Sequence, residues 1–188
     1  MATAATPAAV DPASRNKQIV IDAFDRWAAG GNSFFTEMLT PDVIWTIKGS
    51  GPSAGVYQGL DQFISKAVRP FASRLSDPVR PVSKQVWADG DHVVVQWEGA
   101  GVAQDGKAYR NSYAWIFHMR NGKAFEVTAF LDLAPYNDVL RRIPTLEGGE
   151  PDQVGLLLVC NPAQAQTRLV LARSYKVRPG SPSGFALW

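Results

Sequence analysis

Alternating apolar and polar residues on both sides of the pair Asn121-Gly122 predict one long antiparallel hairpin. Asn-Gly supplies the two positive-φ positions of a type I′ turn, so residues 109–119 and 124–132 should pair as its arms. The second arm alternates with a period of two, which places its residues on two opposite faces. One face carries Phe125, Val127, Ala129 and Leu131, and the other carries Glu126, Thr128, Phe130 and Asp132.

The same reading predicts more strands before the hairpin. Residues 79–88 and 92–102 read as strands, and Asp89-Gly90 and Asp105-Gly106 are typical of the tight turns that would join them. A shorter strand is predicted over residues 43–48. The second half of the chain should therefore form an antiparallel meander.

Helices are predicted mainly in the first half. Asp11-Pro12 offers an N-cap followed by proline at the first helical position, and apolar residues then repeat at helical spacing until Gly30-Gly31. A second helix is predicted over about 62–75, where Pro70 should kink or shorten it. Short helical segments are predicted at 34–39 and 136–142. Helices followed by a meander indicate an α+β domain, with the helices covering one face of a curved sheet.

Composition indicates an ordinary globular protein. The chain has 188 residues, of which 46% are hydrophobic and 19% charged, and a formal net charge of +2, so we expect no nucleic-acid and no membrane partner. A single cysteine excludes an internal disulfide and a cysteine-based zinc site, and no secretory signal is evident, so we expect a cytoplasmic protein. The predicted organisation is a disordered segment at 1–13, one domain at 14–143 and an extension at 144–188 to which no function is assigned.

Several local strings, taken in order, resemble one known family. They are WAAGGN at 27–32, LTPDVIWTI at 39–47, DGKAYRN at 105–111, and GK at 122–123 followed by FLD at 130–132. In this order and spacing the chain resembles the SnoaL-like polyketide cyclases of the nuclear transport factor 2-like superfamily over residues 14–143. The resemblance implies a cone-shaped curved antiparallel sheet covered by three helices, a cystatin-like roll. It also implies a deep apolar pocket and frequent homodimers formed through the sheet.

The catalytic residues of two related enzyme groups are missing. The resemblance to ketosteroid isomerases would place a base at Ile47 and oxyanion donors at Phe24 and Ala114, while limonene epoxide hydrolases would have an acid at Ala129. None of these residues can ionise or donate a side-chain proton, so neither chemistry is predicted. No cofactor and no metal is predicted.

Two residues remain as catalytic candidates, His118 and Asp132. The resemblance would place Ser112, Ala114, Ile116 and His118 on the concave face, where a histidine could act as a general base. The other interpretation of His118 is a half-solvated residue beside the Asn121-Gly122 turn. The alternation places Asp132 on the same face as Glu126 and Thr128, away from the pocket. Only a bulge or the end of the strand would turn it inward.

A hydrophobic small molecule is the predicted ligand. The resemblance implies that the pocket is lined by Phe24, Trp45, Tyr57, Phe63, Ser112, Ile116, Val127 and Leu131. The three aromatic residues that alternate with these on the first arm of the hairpin, Tyr113, Trp115 and Phe117, are then expected against a second subunit.

Two hypotheses about function follow. The first is an enzyme of the cyclase, isomerase or dehydratase kind, which acts without cofactor on a hydrophobic, carbonyl-bearing metabolite. The second is a non-catalytic binding or accessory protein that uses the same pocket or its sheet face. The position of His118 discriminates between them, because no other base is a candidate for the pocket.

Overall fold

A computed structural model of the protein describes residues 11–144. Five helices lie in this range: α1 (Pro12–Ala28), α2 (Phe34–Met38), α3 (Leu60–Phe63), α4 (Arg69–Ala72) and α5 (Leu133–Arg142). Six strands lie between them: β1 (Leu39–Ile47), β2 (Gly55–Gln58), β3 (Leu75–Asp89), β4 (His92–Ala103), β5 (Ala108–Arg120) and β6 (Lys123–Leu131). The prediction of an α+β fold with helices over a curved sheet is confirmed. Within the described range, no helix is long and apolar enough to cross a membrane.

The six strands form one sheet in the order β2-β1-β6-β5-β4-β3. Four of the five neighbouring pairs are antiparallel, but β1 runs parallel to β6, with Trp45 beside Val127 and Ile47 beside Ala129. The sheet is therefore mixed, and not wholly antiparallel as predicted. The parallel pair brings the first strand of the chain against the last, which no local sequence signal encodes.

Helix α1 begins as its sequence predicts. The Asp11 carboxylate accepts a hydrogen bond from the Ser14 amide, and Pro12 occupies the first turn, where its missing N–H costs nothing. The inward stripe of the helix buries Val20, Ala23 and Phe24. Pro12 and Ala13 are thus helical, although they fall in the segment 1–13 predicted to be disordered. Residues 1–10 and 145–188 lie outside the described residues, as do the predictions made for them.

Pro70 does not end its helix but follows a local widening of it. Between α3 and α4 the chain forms one π-helical turn, Ile64–Val68, and the helix then continues through Pro70 to Ala72. A wider turn just before a proline accommodates the ring and the missing N–H, and π turns of this kind occur often at functional sites. Ala67 and Val68 of the π turn both line an apolar cavity next to the sheet.

The β5–β6 hairpin turns at Asn121 and Gly122, whose φ angles of 53° and 78° are those of the predicted type I′ turn. Beyond the turn the arms contain a bulge. His118 pairs with Glu126 and Met119 with Ala124, so Phe125 is an extra residue on β6. Phe125 packs against His118 and Arg120 on the outer face of the sheet, so the prediction that it shares a face with Val127 was wrong.

This one-residue shift inverts the predicted faces of β5. Without a bulge the turn would place Phe117 opposite Glu126, whereas the observed partner of Phe117 is Val127 and that of Trp115 is Ala129. Directly opposed residues point to the same face, so the aromatic residues of β5 point inward with Val127 and Ala129. Tyr113, Trp115 and Phe117 are buried, and Ser112, Ala114, Ile116 and His118 lie on the outer face. The prediction that Ser112, Ala114, Ile116 and His118 lie on the concave face was wrong.

The outer face of the sheet also carries exposed apolar side chains. Ile44, Trp87 and Phe130 are each close to half exposed. Exposed apolar groups on a sheet face are typical of protein contacts. The homodimer through the sheet nevertheless stays a prediction.

Gly99 allows the tightest aromatic contact of the fold. The rings of Trp97 and Tyr113 stack at 3.9 Å with an interplanar angle of 7°. A Cβ atom at Gly99 would lie 2.9 Å from both rings and 2.8 Å from Val79, closer than real Cβ contacts allow. Glycine at this inward position of β4 is therefore required by packing.

We expect Gly99→Ala to lower the free energy of unfolding by about 1–3 kcal/mol, because one methyl group overpacks this contact. Urea denaturation followed by circular dichroism measures the change. Ala100→Val, at the neighbouring position on the other face of β4, is the control and should change stability by less than about 0.5 kcal/mol. Equal effects of the two substitutions would contradict the packing argument.

Candidate functional site

A cavity of about 200 Å³ lies between the concave face of the sheet and the helices. Four tryptophans from three different strands and α1 form much of its wall: Trp27, Trp45, Trp97 and Trp115. Phe63 from α3 and Leu131 from the end of β6 also contribute. Among the described residues that line the cavity, none is an acid, a histidine, a lysine, an arginine or a cysteine.

Stacked rings hold these walls in place. Trp45 stacks on Phe63 at 4.2 Å and 17°, and Trp97 stacks on Tyr113 at 3.9 Å and 7°. The Trp115 ring meets Trp45 edge-on at 5.1 Å and Trp97 edge-on at 4.8 Å, which joins the two stacks. Such contacts add about 0.5–1.5 kcal/mol each beyond the area they bury, so the walls are flat and rigid.

One polar chain reaches the cavity wall, and it begins at Asn111. The Asn111 Oδ1 atom accepts from the Asp132 amide at 3.1 Å, which identifies Nδ2 as the donor side of the amide. Nδ2 donates to the Asp132 carbonyl at 2.8 Å and to the Tyr109 hydroxyl oxygen at 2.8 Å. Both amide protons are then used, and the orientation of Asn111 is fixed.

The direction of the next hydrogen bond follows from this assignment. The hydroxyl oxygens of Tyr109 and Tyr113 are 2.9 Å apart. Because the Tyr109 hydroxyl oxygen already accepts a hydrogen bond from Asn111, the Tyr109 hydroxyl is best placed to donate its own proton to the Tyr113 oxygen. If Tyr113 donated instead, the buried Tyr109 proton would have no partner among the described residues, which costs about 1–3 kcal/mol. The Tyr113 proton is then left for a bound molecule.

The Tyr113 hydroxyl is a neutral donor. Burial is the largest cause that raises its pKa far above the ordinary value for tyrosine, and the neighbouring Tyr109 raises the pKa further. Tyr113 lines the cavity, whereas Tyr109 does not. The Tyr113 hydroxyl can therefore offer a hydrogen bond to an acceptor such as a carbonyl oxygen. The rest of the wall is aromatic or aliphatic, and the Trp97 indole N–H in it has no partner among the described residues.

A second, more polar cavity of about 310 Å³ adjoins the first. Its wall includes Ser53, Tyr57, Lys66, Asn137 and Arg141. Ala67 and Tyr136 line both cavities, and the Tyr136 hydroxyl donates to the Ala67 carbonyl at 3.0 Å. This contact forms a partition between the apolar and the polar space.

The predicted catalytic residues lie outside the cavity. The His118 Nε2 atom faces Asp91 at 2.9 Å on the outer side of the sheet. Asp132 is the N-cap of α5, and its carboxylate accepts from the Ala134 amide at 2.9 Å. Neither side chain contributes to the cavity wall, so the cavity has no general base among the described residues that line it.

The predicted ligand-binding residues divide into three groups. Trp45, Phe63 and Leu131 line the apolar cavity and Tyr57 lines the polar one. Phe24 and Val127 are fully buried in the core behind the cavity wall. Ile116 and Ser112 lie on the outer face, where the Ser112 hydroxyl donates to Glu98 at 2.7 Å. Ligand binding by Trp45, Tyr57, Phe63 and Leu131 stays a prediction.

The sequence reasoning missed the residues that make the site polar. Tyr109, Asn111 and Tyr113 alternate along β5 and all three are buried, as are Trp115 and Phe117 farther along the strand. An available signal was the size of these side chains, because the alternate positions Arg110, Ser112 and Ala114 are polar or small. Aromatic residues bury more area than the others and favour the inward face.

Comparison with known proteins agrees with this architecture. A sequence profile of the SnoaL-like domain matches residues 20–127. The chain belongs to the SnoaL-like family. SnoaL-like proteins have a cyclase- and isomerase-type small-molecule fold, and this membership confirms the resemblance found in the sequence. The comparison with curated proteins gave no match.

Solved SnoaL-like and nuclear transport factor 2-like structures share the fold at low sequence identity. A protein described as a SnoaL-like polyketide cyclase from Jannaschia sp. CCS1 is 21% identical, with a TM-score of 0.54, covering 76% of this chain and 100% of its own. Bal32a, from a soil-derived mobile gene cassette, is 18% identical, with a TM-score of 0.58 and coverage of 70% and 100%. TerC, co-crystallised with polyporic acid, is 18% identical, with a TM-score of 0.56 and coverage of 68% and 99%. At these identities the likeness shows the fold alone.

We expect Asn111→Ala to lower the free energy of unfolding by about 1–3 kcal/mol, because it leaves the Tyr109 hydroxyl and the Asp132 backbone without their partner. Chemical denaturation measures the loss. Gln96→Ala, which removes an exposed amide from the outer face of β4, is the control, with an expected change below about 0.5 kcal/mol. A neutral Asn111→Ala would show that the polar chain does not depend on this amide.

Proposed function

We propose that this SnoaL-like protein binds a small, flat, apolar molecule that carries a carbonyl or similar acceptor, and that it does so without acid–base chemistry of its own. The observation that carries the proposal is the cavity wall, in which aromatic rings surround the donor hydroxyl of Tyr113. Stacked walls favour a planar ligand, and one fixed donor favours an acceptor at one end of it.

The volume limits the size of this ligand. An engineered cavity of about 150 Å³ lined by aliphatic and aromatic residues takes up benzene. The apolar cavity here has about 200 Å³, which suits a molecule of one or two fused rings. A larger molecule would have to extend past the Tyr136–Ala67 partition into the polar cavity, where Lys66 and Arg141 supply positive charge.

The side chains that line the cavity favour non-catalytic binding over proton transfer. General acid–base catalysis needs a group within hydrogen-bond reach of the proton that it removes. His118, the base on which the enzyme hypothesis depended, is on the other side of the sheet with Asp91. The described lining offers no replacement.

A pair of matched probes tests the proposal, naphthalene and 2-acetonaphthone, which share an aromatic body and differ by the carbonyl. Four of the six tryptophans line the cavity, so quenching of tryptophan fluorescence, corrected for ligand absorption, reports its occupancy. We expect both probes to bind and 2-acetonaphthone to bind more tightly by about 5-fold, the value of one hydrogen bond of about 1 kcal/mol. Tyr113→Phe should abolish this preference while naphthalene binding is retained.

The variant Ala129→Leu serves to locate the binding site. Ala129 is 1% exposed and lines the cavity, so a larger side chain should fill the space and weaken the binding of both probes. Ala114→Leu, on the outer face of the neighbouring strand, is the matched control and should leave binding unchanged. Binding that survives Ala129→Leu, or a carbonyl preference that survives Tyr113→Phe, would contradict the proposal.

One observation favours a second candidate, a cyclase- or isomerase-type activity. A donor chain from Asn111 through Tyr109 to Tyr113 could stabilise the negative oxygen of an enolate, in the manner of an oxyanion hole. The proton would pass from the α-carbon of a bound ketone to a base supplied by solvent or by the substrate itself.

The same ketone discriminates between the two functions. Its methyl protons exchange with solvent only through an enol or enolate, so proton NMR in D₂O measures enolisation directly. The binding function predicts no acceleration of this exchange by the protein. Acceleration in the wild-type protein that Tyr113→Phe lowers by at least about 100-fold, as expected for a lost oxyanion donor, would establish the catalytic candidate instead.

A further inference from the structure

Both histidines of the chain lie side by side on the outer face of the sheet, across from the cavity. His92 begins β4 and is the register partner of His118 near the end of β5. Their rings stack at 4.2 Å with an interplanar angle of 19°. Strand pairing thus brings together the chain's only two imidazoles.

One carboxylate faces both rings. Asp91, in the turn between β3 and β4, places Oδ1 at 2.7 Å from His92 Nδ1 and Oδ2 at 2.9 Å from His118 Nε2. One donor atom from each of the three side chains lies within 4.8 Å of the other two. Two imidazole nitrogens and a carboxylate oxygen are a donor set that zinc accepts in proteins.

A second carboxylate orients one of these ligands. Glu126 Oε2 lies 3.5 Å from His118 Nδ1, on the side of the ring away from Asp91. In the 2.9 Å contact with Asp91 the proton is on Nε2; when a metal ion takes the place of that proton, the Glu126 carboxylate can hold a proton on Nδ1. In metal sites, a histidine ligand commonly donates its other ring N–H to a carboxylate of this kind. The bulged Phe125, at 4.3 Å from His118, further fixes the ring.

We propose that Asp91, His92 and His118 form a surface site for Zn²⁺ or a similar divalent transition metal ion, with water completing the coordination. Nitrogen ligands select such ions over Mg²⁺ and Ca²⁺, which prefer oxygen. Tetrahedral zinc at about 2.0–2.2 Å from each ligand requires donor atoms about 3.3 Å apart. The two carboxylate–histidine contacts, at 2.7 and 2.9 Å, widen by about half an ångström to reach that spacing. The two imidazole nitrogens lie within 4.8 Å of each other and reach it by rotation of the side chains, since Asp91 and His92 are exposed.

The site is separate from the proposed ligand-binding function. Its residues lie on the opposite side of the sheet from the cavity, and none of them lines it. A bound ion would connect the β3–β4 turn to β5. Because the ion would bind the folded arrangement, its expected effect is a higher melting temperature.

Titration of the full-length chain with ZnCl₂ tests the proposal, using protein purified without a polyhistidine tag. We expect one saturable site by isothermal calorimetry and a zinc-dependent rise in melting temperature. Proton NMR gives a second readout, because the chain has only two histidines and both imidazole Cε1–H signals should shift together at one equivalent. Glu126→Gln should weaken binding by about 10-fold, and Asp91→Asn or His118→Gln by more than that.

Two matched variants keep the test specific. Asp89→Asn removes a carboxylate at the end of β3, next to the same turn, that is not among the proposed ligands and should leave zinc affinity unchanged. Cys160→Ser removes the only thiol and should also have no effect. Unfolding curves without zinc establish that each variant is folded, and His92→Gln replaces any variant that is not. Absence of saturable binding, unshifted histidine signals, or affinity that survives Asp91→Asn and His118→Gln would overturn the proposal.

Discussion

The register of the β5–β6 hairpin determines most of what this domain presents on its two faces. The type I′ turn at Asn121-Gly122 sets the pairing of Arg120 with Lys123, and the extra residue Phe125 then shifts all later pairs by one. A shift of one residue moves a whole strand's side chains to the opposite face. The bulge thereby places Tyr113 and Trp115 in the cavity wall and His118 on the outer surface. It also places Phe125 against His118.

The chemical character of the cavity follows from this register. With the aromatic face of β5 inward, the wall consists of stacked rings, and the described lining contains no ionisable acid or base of ordinary pKa. A polar group, the Tyr113 hydroxyl, reaches this wall through Asn111. The Asp132 backbone fixes the Asn111 amide, and the Asn111 Nδ2 atom, by donating to Tyr109, sets the direction of the Tyr109–Tyr113 hydrogen bond. A site of this kind supports the proposed binding of a flat apolar ligand that carries an acceptor atom. These features agree better with binding than with proton transfer by the protein, although the fold belongs to a family of cyclase- and isomerase-type proteins.

The outer face has a different composition and a separate potential role. His118, which was predicted as the catalytic base of the pocket, is there part of a cluster with His92, Asp91 and Glu126. On the outer face the histidine stacks on His92, its register partner on β4, and has a carboxylate on each side. Metal binding on that face and ligand binding in the cavity can thus be tested independently, because no residue is shared between them.

Local sequence patterns determined the elements and the family. The Asp11-Pro12 cap, the Asn121-Gly122 turn and the alternation of Val127 with Ala129 each depend on neighbouring residues, and each appears in the structure as predicted. The order of strings from Trp27 to Asp132 identified the SnoaL-like fold. The parallel pairing of β1 with β6, the π turn before Pro70 and the faces of β5 were decided only by tertiary structure. A bulge arises where side chains on two strands and the covering helices pack best together. Its position is a property of the assembled sheet, and the identity of the cavity wall depends on it.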